Sequence, residues 1–141
     1  MKVVKERGYI MAENMNSLPN TLGRLIVILT HARGLFPVEA AVVQVYSTDG
    51  TELVSTVTDM SGRTEVIELP APSKTLSSVP GGADPTAFYD IFVEAEGFVP
   101  TRVKNVKVYE GVTSLQKLDL PYKTASNDAE WVIDLSRASD L

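Results

Sequence analysis

A chain of 141 residues that is 22% charged and 44% apolar belongs to one globular domain, able to bury about two-thirds of its unfolded surface, and wholesale disorder is excluded. The formal net charge of −5 is spread along the sequence, leaving no basic footprint for nucleic acid or anionic lipid. The absence of cysteine removes disulfides, thiolate metal sites and cysteine nucleophiles together.

Residues 1–20 show no strong period. Lys2, Lys5, Glu6 and Arg7 precede a single apolar patch, Tyr9-Ile10-Met11-Ala12, too short for a signal-peptide core, so the chain is expected to be made in the cytoplasm without Sec export. A weak strand across residues 3–10 fits this arm. Residues 23–32 are the first clear strand. Its run Leu25-Ile26-Val27-Ile28-Leu29 lacks polar alternation, which predicts burial on both faces or a place near a sheet centre. The run is far too short to span a bilayer, and membrane insertion is not expected. Residues 34–38 break this strand.

Residues 41–46 form the second strand, with Ala41, Val43 and Val45 on one face. Asp49-Gly50 supplies a tight turn, because glycine accepts a positive φ. Residues 52–58 return as a third strand, Asp59-Met60-Ser61-Gly62 turns again, and residues 64–69 make a fourth. The connection over residues 70–85, with Pro70, Pro72, Pro80 and Pro85, is long for a compact domain. In the next strand, residues 89–95, Tyr89, Ile91, Val93 and Ala95 alternate with Asp90 and Glu94, Phe92 being the apolar exception. That period of two marks one buried and one wet face. Residues 101–109 and 113–120 follow, separated by Glu110-Gly111. The expected architecture is therefore all-β, a seven-stranded antiparallel β-sandwich over residues 23–121 with an N-terminal arm (1–22) and a C-terminal tail (122–141).

The tail has one apolar patch, Trp131-Val132-Ile133 with Leu135. Asn127 or Asp128 fits the cap of a short helix placing Trp131 and Leu135 on one face; an added strand fits equally well. A purely solvating tail would lack such a patch. Tyr9, Ile10, Trp131, Val132, Ile133 and Leu135 are thus the candidate assembly contacts, reaching exposed sheet edges by strand addition.

Catalytic and ligand chemistry is sparse. His31 is the single histidine, placed at a strand end. No Gly-x-Ser-x-Gly elbow occurs. Asp49, Glu52 and Asp59 lack the spacing of a calcium loop and read as turn formers. Gly81-Gly82 lacks the lysine of a phosphate loop. Tyr9, Tyr46, Phe88, Tyr89, Tyr109 and Tyr122 are candidates for a sugar-stacking face. On this reading the chain is expected not to be an enzyme and to need no metal or cofactor.

The order of an apolar strand, Phe36-Pro37-Val38-Glu39-Ala40-Ala41-Val42-Val43, Asp49-Gly50, Thr58-Asp59-Met60-Ser61-Gly62 and a strand ending Glu96-Gly97-Phe98 resembles the carboxypeptidase regulatory-like group. That group shares a transthyretin-like, or prealbumin-like, sandwich with the B-type repeats of collagen adhesins. A narrower likeness lies in Leu69-Pro70-Ala71-Pro72, Tyr89-Asp90-Ile91, Glu96-Gly97-Phe98 and Val108-Tyr109-Glu110-Gly111-Val112-Thr113-Ser114-Leu115-Gln116. It resembles the N-terminal module of clostridial peptidoglycan-binding and spore-cortex-lytic proteins. The resemblances, covering about residues 23–120, imply a sandwich whose partners are proteins or wall glycans. The favoured function is a structural protein that self-associates or binds a protein partner through its arms, in a fibre, coat or phage-like appendage. The alternative is an accessory module that binds cell-wall peptidoglycan or carbohydrate in a cortex-lytic system.

Overall fold

A computed structural model describes residues 21–73 and 86–136. The described residues form nine strands: β1 (Leu22–His31), β2 (Phe36–Pro37), β3 (Val42–Ser47), β4 (Glu52–Val57), β5 (Ile67–Pro70), β6 (Thr86–Glu94), β7 (Thr101–Tyr109), β8 (Thr113–Asp119) and β9 (Trp131–Asp134). All seven expected strands are present, joined by the two-residue β2 and by β9 in the tail. One sheet is centred on β1, with β8 along one edge and β5 and β2 sharing the other. The second runs β4-β3-β6-β7-β9.

The two inner faces make the core. Leu25, Val27 and Leu29 from β1 meet Val43, Val45, Ile91, Val93, Val103 and Val108 from the opposite sheet, all without solvent exposure. The alternation read at Tyr89, Ile91, Val93 and Ala95 is the observed core face. Phe92, the apolar exception, lies on the outer face, where the Arg102 guanidinium sits 4.9 Å from its ring centre. β1 is central in its sheet, one of the two placements that its unalternated run allows. Ile26, on the face away from the core, is still only 9% exposed.

Two pairings depart from the antiparallel expectation. β8 runs parallel to β1 in register Arg24↔Thr113 through Thr30↔Asp119, and β9 runs parallel to β7. The cause of the first is the Glu110-Gly111 turn. It does not fold β8 back on β7; it crosses between sheets, where Gly111 N donates to Leu22 O and Arg24 N to Val112 O, both at 2.9 Å. β5 also starts later than expected, at Ile67. Buried Thr64 instead grips β1 with both backbone and side chain: its N–H donates to Val27 O at 3.0 Å and its Oγ1 accepts from Val27 N at 3.1 Å. The other buried hydroxyls are likewise satisfied, Thr58 Oγ1 donating to Val38 O at 2.7 Å and Thr101 Oγ1 to Val99 O at 3.1 Å.

Candidate functional site

The tail settles as a strand. Trp131 N donates to Pro100 O at 2.8 Å and Leu135 N to Lys104 O at 3.0 Å, so β9 extends the second sheet beyond β7. Ile133 and Leu135 are partly buried against the core, while Trp131 is 43% and Val132 51% exposed. Trp131 lines a shallow cleft of about 340 Å³ with Val99, Pro121, Asn127, Ala129 and Glu130. Its register explains why a core-side residue stays open: it pairs with Thr101 at the first position of β7, at the rim of the sandwich. Of the candidate contacts, Trp131, Val132, Ile133 and Leu135 are therefore gathered on one sheet edge. Tyr9 and Ile10 lie outside the described residues, as do residues 74–85 of the proline-rich connection.

Side-chain bonds hold β9 in place. Arg102 Nε donates to Glu130 at 2.9 Å. Asn105, in the left-handed region at φ 64°, opens a bulge between β6 and β7. Its backbone N–H donates to Asp90 at 3.1 Å, and its Nδ2 donates to Asp134 at 2.8 Å. Asp134 also accepts from Ser136 Oγ at 2.7 Å and Ser136 N at 3.0 Å. The Ser136 hydroxyl and then the Asn105 amide hold the Asp134 carboxyl down at about 2, from an ordinary value near 3.8. A pKa depressed on folding contributes stability that is whole above the unfolded value and fades as pH falls through the folded one. Emission from Trp131, the single tryptophan, should accordingly report a loosening of the tail between about pH 4 and pH 2. Asp134→Asn should remove that step from the tryptophan signal while leaving the far-ultraviolet dichroism of the sandwich in place. An unchanged pH profile in the variant would place the transition elsewhere.

The acidic turn residues close their own turns. Asp49 accepts from Thr51 N at 3.0 Å and also bonds Ser47 Oγ. Asp59 accepts from the N–H groups of Ser61 and Arg63 at 2.9 and 3.1 Å. Of the aromatics considered for a sugar-stacking face, Tyr9 lies outside the described residues, Phe88 and Tyr109 are partly exposed on β6 and β7, and Tyr89 and Tyr46 lie on opposite faces of the second sheet. Tyr89 is core, its Oη donating to Pro70 O at 2.5 Å, and burial pushes its phenol up to about 12. Tyr46 flanks Arg102 on the outer face of the second sheet.

Tyr122 instead joins a cluster no sequence pattern announced. His31, at the end of β1 as expected, contacts Phe36, Phe98 and Tyr122 with ring centres 5.4, 5.2 and 5.3 Å away, and Phe98 stacks on Tyr122 at 5.0 Å. These residues are spread between positions 31 and 122 on four separate segments, so no spacing rule brings them together.

No protein-family model and no curated protein matches the sequence. Among solved structures the fold is similar to the catechol 1,2-dioxygenase of Acinetobacter sp. ADP1, at 12% identity and a TM-score of 0.51, over 82% of this chain and 59% of that one. It is also similar to the Bacillus anthracis TIE protein, at 17% identity and a TM-score of 0.47, over 72% of this chain and 17% of that one. The minor pilin GBS52 of Streptococcus agalactiae matches at 13% identity and a TM-score of 0.47, over 74% of this chain and 46% of that one. The chain thus spans less than two-thirds of the length of each. The expectation that this chain is not an enzyme is corrected by these comparisons, because enzymes, the catechol 1,2-dioxygenases, share its fold. A scarcity of motifs does not exclude catalysis, because chemistry resides in side chains grafted on a framework that also serves enzymes.

Proposed function

We propose that this chain is a structural β-sandwich that assembles with further copies of itself through its terminal arms, the family resemblance being that of a transthyretin-like domain. The observation that supports this reading is the β9 edge. β9 is short, its far side carries no partner strand among the described residues, and it holds Trp131 and Val132 half open to solvent. A bare edge strand offers a row of backbone donors and acceptors, and apolar side chains beside it add area to any strand that pairs there. The N-terminal residues 1–20, with Tyr9 and Ile10, are the segment of a second copy assigned to that edge.

Light scattering coupled to size exclusion tests the reading on the full chain. The wild type should form oligomers whose fraction rises with concentration. Val132→Lys places a charge on an exposed edge position without touching the core, a device natural edge strands use against pairing. It should shift the population to monomer with an unchanged melting temperature, and Trp131→Ala or removal of residues 1–20 should act in the same direction. A wild type that stays monomeric over a wide concentration range would refute the assembly.

A further inference from the structure

β9 leaves one open side of the sandwich half covered. It pairs with Thr101–Lys104 of β7 and then stops. Asp134 accepts from Ser136 N and Ser136 Oγ, a turn that takes the chain off the sheet. From Asn105 to Tyr109 the same edge of β7 carries no partner strand among the described residues, and neither does the edge of β8 away from β1. These two bare edges flank a groove of about 310 Å³. Buried Leu25 and Val106 lie behind it, Leu135 closes the Asn105 end, and Tyr109 and Leu115 stand on its walls, 37% and 53% exposed. Bare strand edges beside open apolar side chains are a liability that natural sheets cover.

The chain outside the described residues supplies a segment of matching length and place. Residues 1–20 enter the fold at Thr21, directly before β1, and β1 begins against the Tyr109 end of the groove. There Gly111 N donates to Leu22 O at 2.9 Å, and a methyl at Gly23 would lie 2.4 Å from both Tyr109 O and a Val108 side-chain carbon. The bare edge from Asn105 to Tyr109 spans about 17 Å, the length of an extended Tyr9-Ile10-Met11-Ala12-Glu13. Residues 14–20 then reach about 23 Å when extended, and their Asn, Ser and Pro residues suit the turn back to Thr21. Gly8, ahead of the apolar patch, has the backbone freedom to bend away where Leu135 and β9 block the line. The C-terminal residues 137–141 fit less well: the Ser136 turn leads off the sheet, and Leu141 is their single large apolar side chain.

We infer that the chain's own N-terminal arm docks in this groove, residues 9–13 lying as a strand parallel to β7 and in line with β9. The direction follows from the entry point, because the arm must finish at the Tyr109 end to join Thr21. Its backbone groups meet the bare edge of β7, and alternate side chains of the Tyr9-Ile10-Met11-Ala12 patch cover Leu115 and Leu135. A copy whose arm is in place has none to lend to the β9 edge of a neighbour, so the groove holds assembly back until the arm is released. That competition rests on the assembly proposed above; the docking itself does not.

Paramagnetic relaxation in the full chain provides the test. The chain has no cysteine, so Arg7→Cys gives a nitroxide a unique anchor just ahead of the patch. In isotope-labelled protein kept dilute, the amide signals of Asn105, Val106 and Gln116, at the groove end far from Thr21, should be broadened more than those of Leu22 and Gly111. Ile10→Asp in the arm, or Leu115→Lys on the exposed wall, should each abolish that broadening and leave the rest of the sandwich spectrum unchanged. A mixture of nitroxide-bearing unlabelled copies with isotope-labelled copies that carry no nitroxide separates a copy's own arm from a neighbour's, and no broadening at the groove is expected there. Equal broadening in the mixture would assign the groove to a second copy's arm and overturn the docking. Broadening centred on Leu22 and Gly111, or on β9, would overturn it too, as would groove broadening that survives both substitutions. A wild type that is monomeric at every concentration refutes the assembly but leaves these results in force, so the two failures are told apart.

Discussion

Ile91→Asp is expected to leave no cooperative melting transition at all. Ile91 has no exposed surface and sits mid-β6, between Val45 of β3 and Val103 of β7, at the centre of the five-stranded sheet. Losing the isoleucine forfeits about 1.5–3 kcal/mol of burial. The larger effect is the carboxylate, which meets apolar side chains from both sheets, where an unpaired charge costs several kcal/mol more. Against a total stability of about 5–15 kcal/mol for a domain of this size, the sum is enough to unfold it. Circular dichroism on heating checks this directly. A sharp transition near the wild-type temperature would mean that the inner and outer faces of β6 had been exchanged.

Gly62→Ala should be the most damaging of the turn substitutions, and far worse than the same change at Gly50. Both glycines follow an aspartate-containing turn, and both hold a positive φ, 81° and 95°. A methyl group at Gly50 meets nothing within 4 Å, so only the conformational penalty of about 1 kcal/mol applies. At Gly62 the same methyl would lie 2.4 Å from Leu29 O and 3.2 Å from Val38 N. Those atoms are bonded to one another at 3.0 Å, and Leu29 N donates to Gly62 O at 2.8 Å. The clash is with backbone that holds β1 to the β2 side of its sheet, so no side chain can swing away to relieve it. A loss of roughly 3 kcal/mol is expected, lowering the melting temperature by on the order of 10 °C, against a few degrees for Gly50→Ala. Equal losses at the two positions would show that conformation alone, and not the close approach, sets the requirement at Gly62.

Much of the framework is written locally. The alternation of Tyr89, Ile91, Val93 and Ala95 assigned the faces of β6, because a strand's side chains must alternate whatever its neighbours are. The unbroken run from Leu25 to Leu29 allowed either burial on both faces or a place near a sheet centre, and β1 takes the second, with Ile28 on its outer face partly exposed. Asp49-Gly50 and Asp59 with Gly62 marked their turns, since their carboxylates bond amides only two to four residues away. Such features need no knowledge of distant chain, and they determined the all-β class and the positions of seven strands.

Pairing partners are set by distant chain, and they were decided in three dimensions. Nothing near Glu110-Gly111 says whether the turn folds back or crosses between sheets; the bonds from Gly111 to Leu22 and from Arg24 to Val112 send β8 alongside β1 in parallel. Trp131 to Asp134 fits a helix or a strand by local pattern alone, and the bulge at Asn105, with its bond to Asp134, makes it a strand on β7. His31, Phe36, Phe98 and Tyr122 become neighbours only because the end of β1, β2 and two later loops converge at one end of the sandwich. Periodicity reports which face a residue occupies, because that follows from its own backbone. Which residues meet across the chain follows from the closure of the sheets, and that is a property of the whole fold.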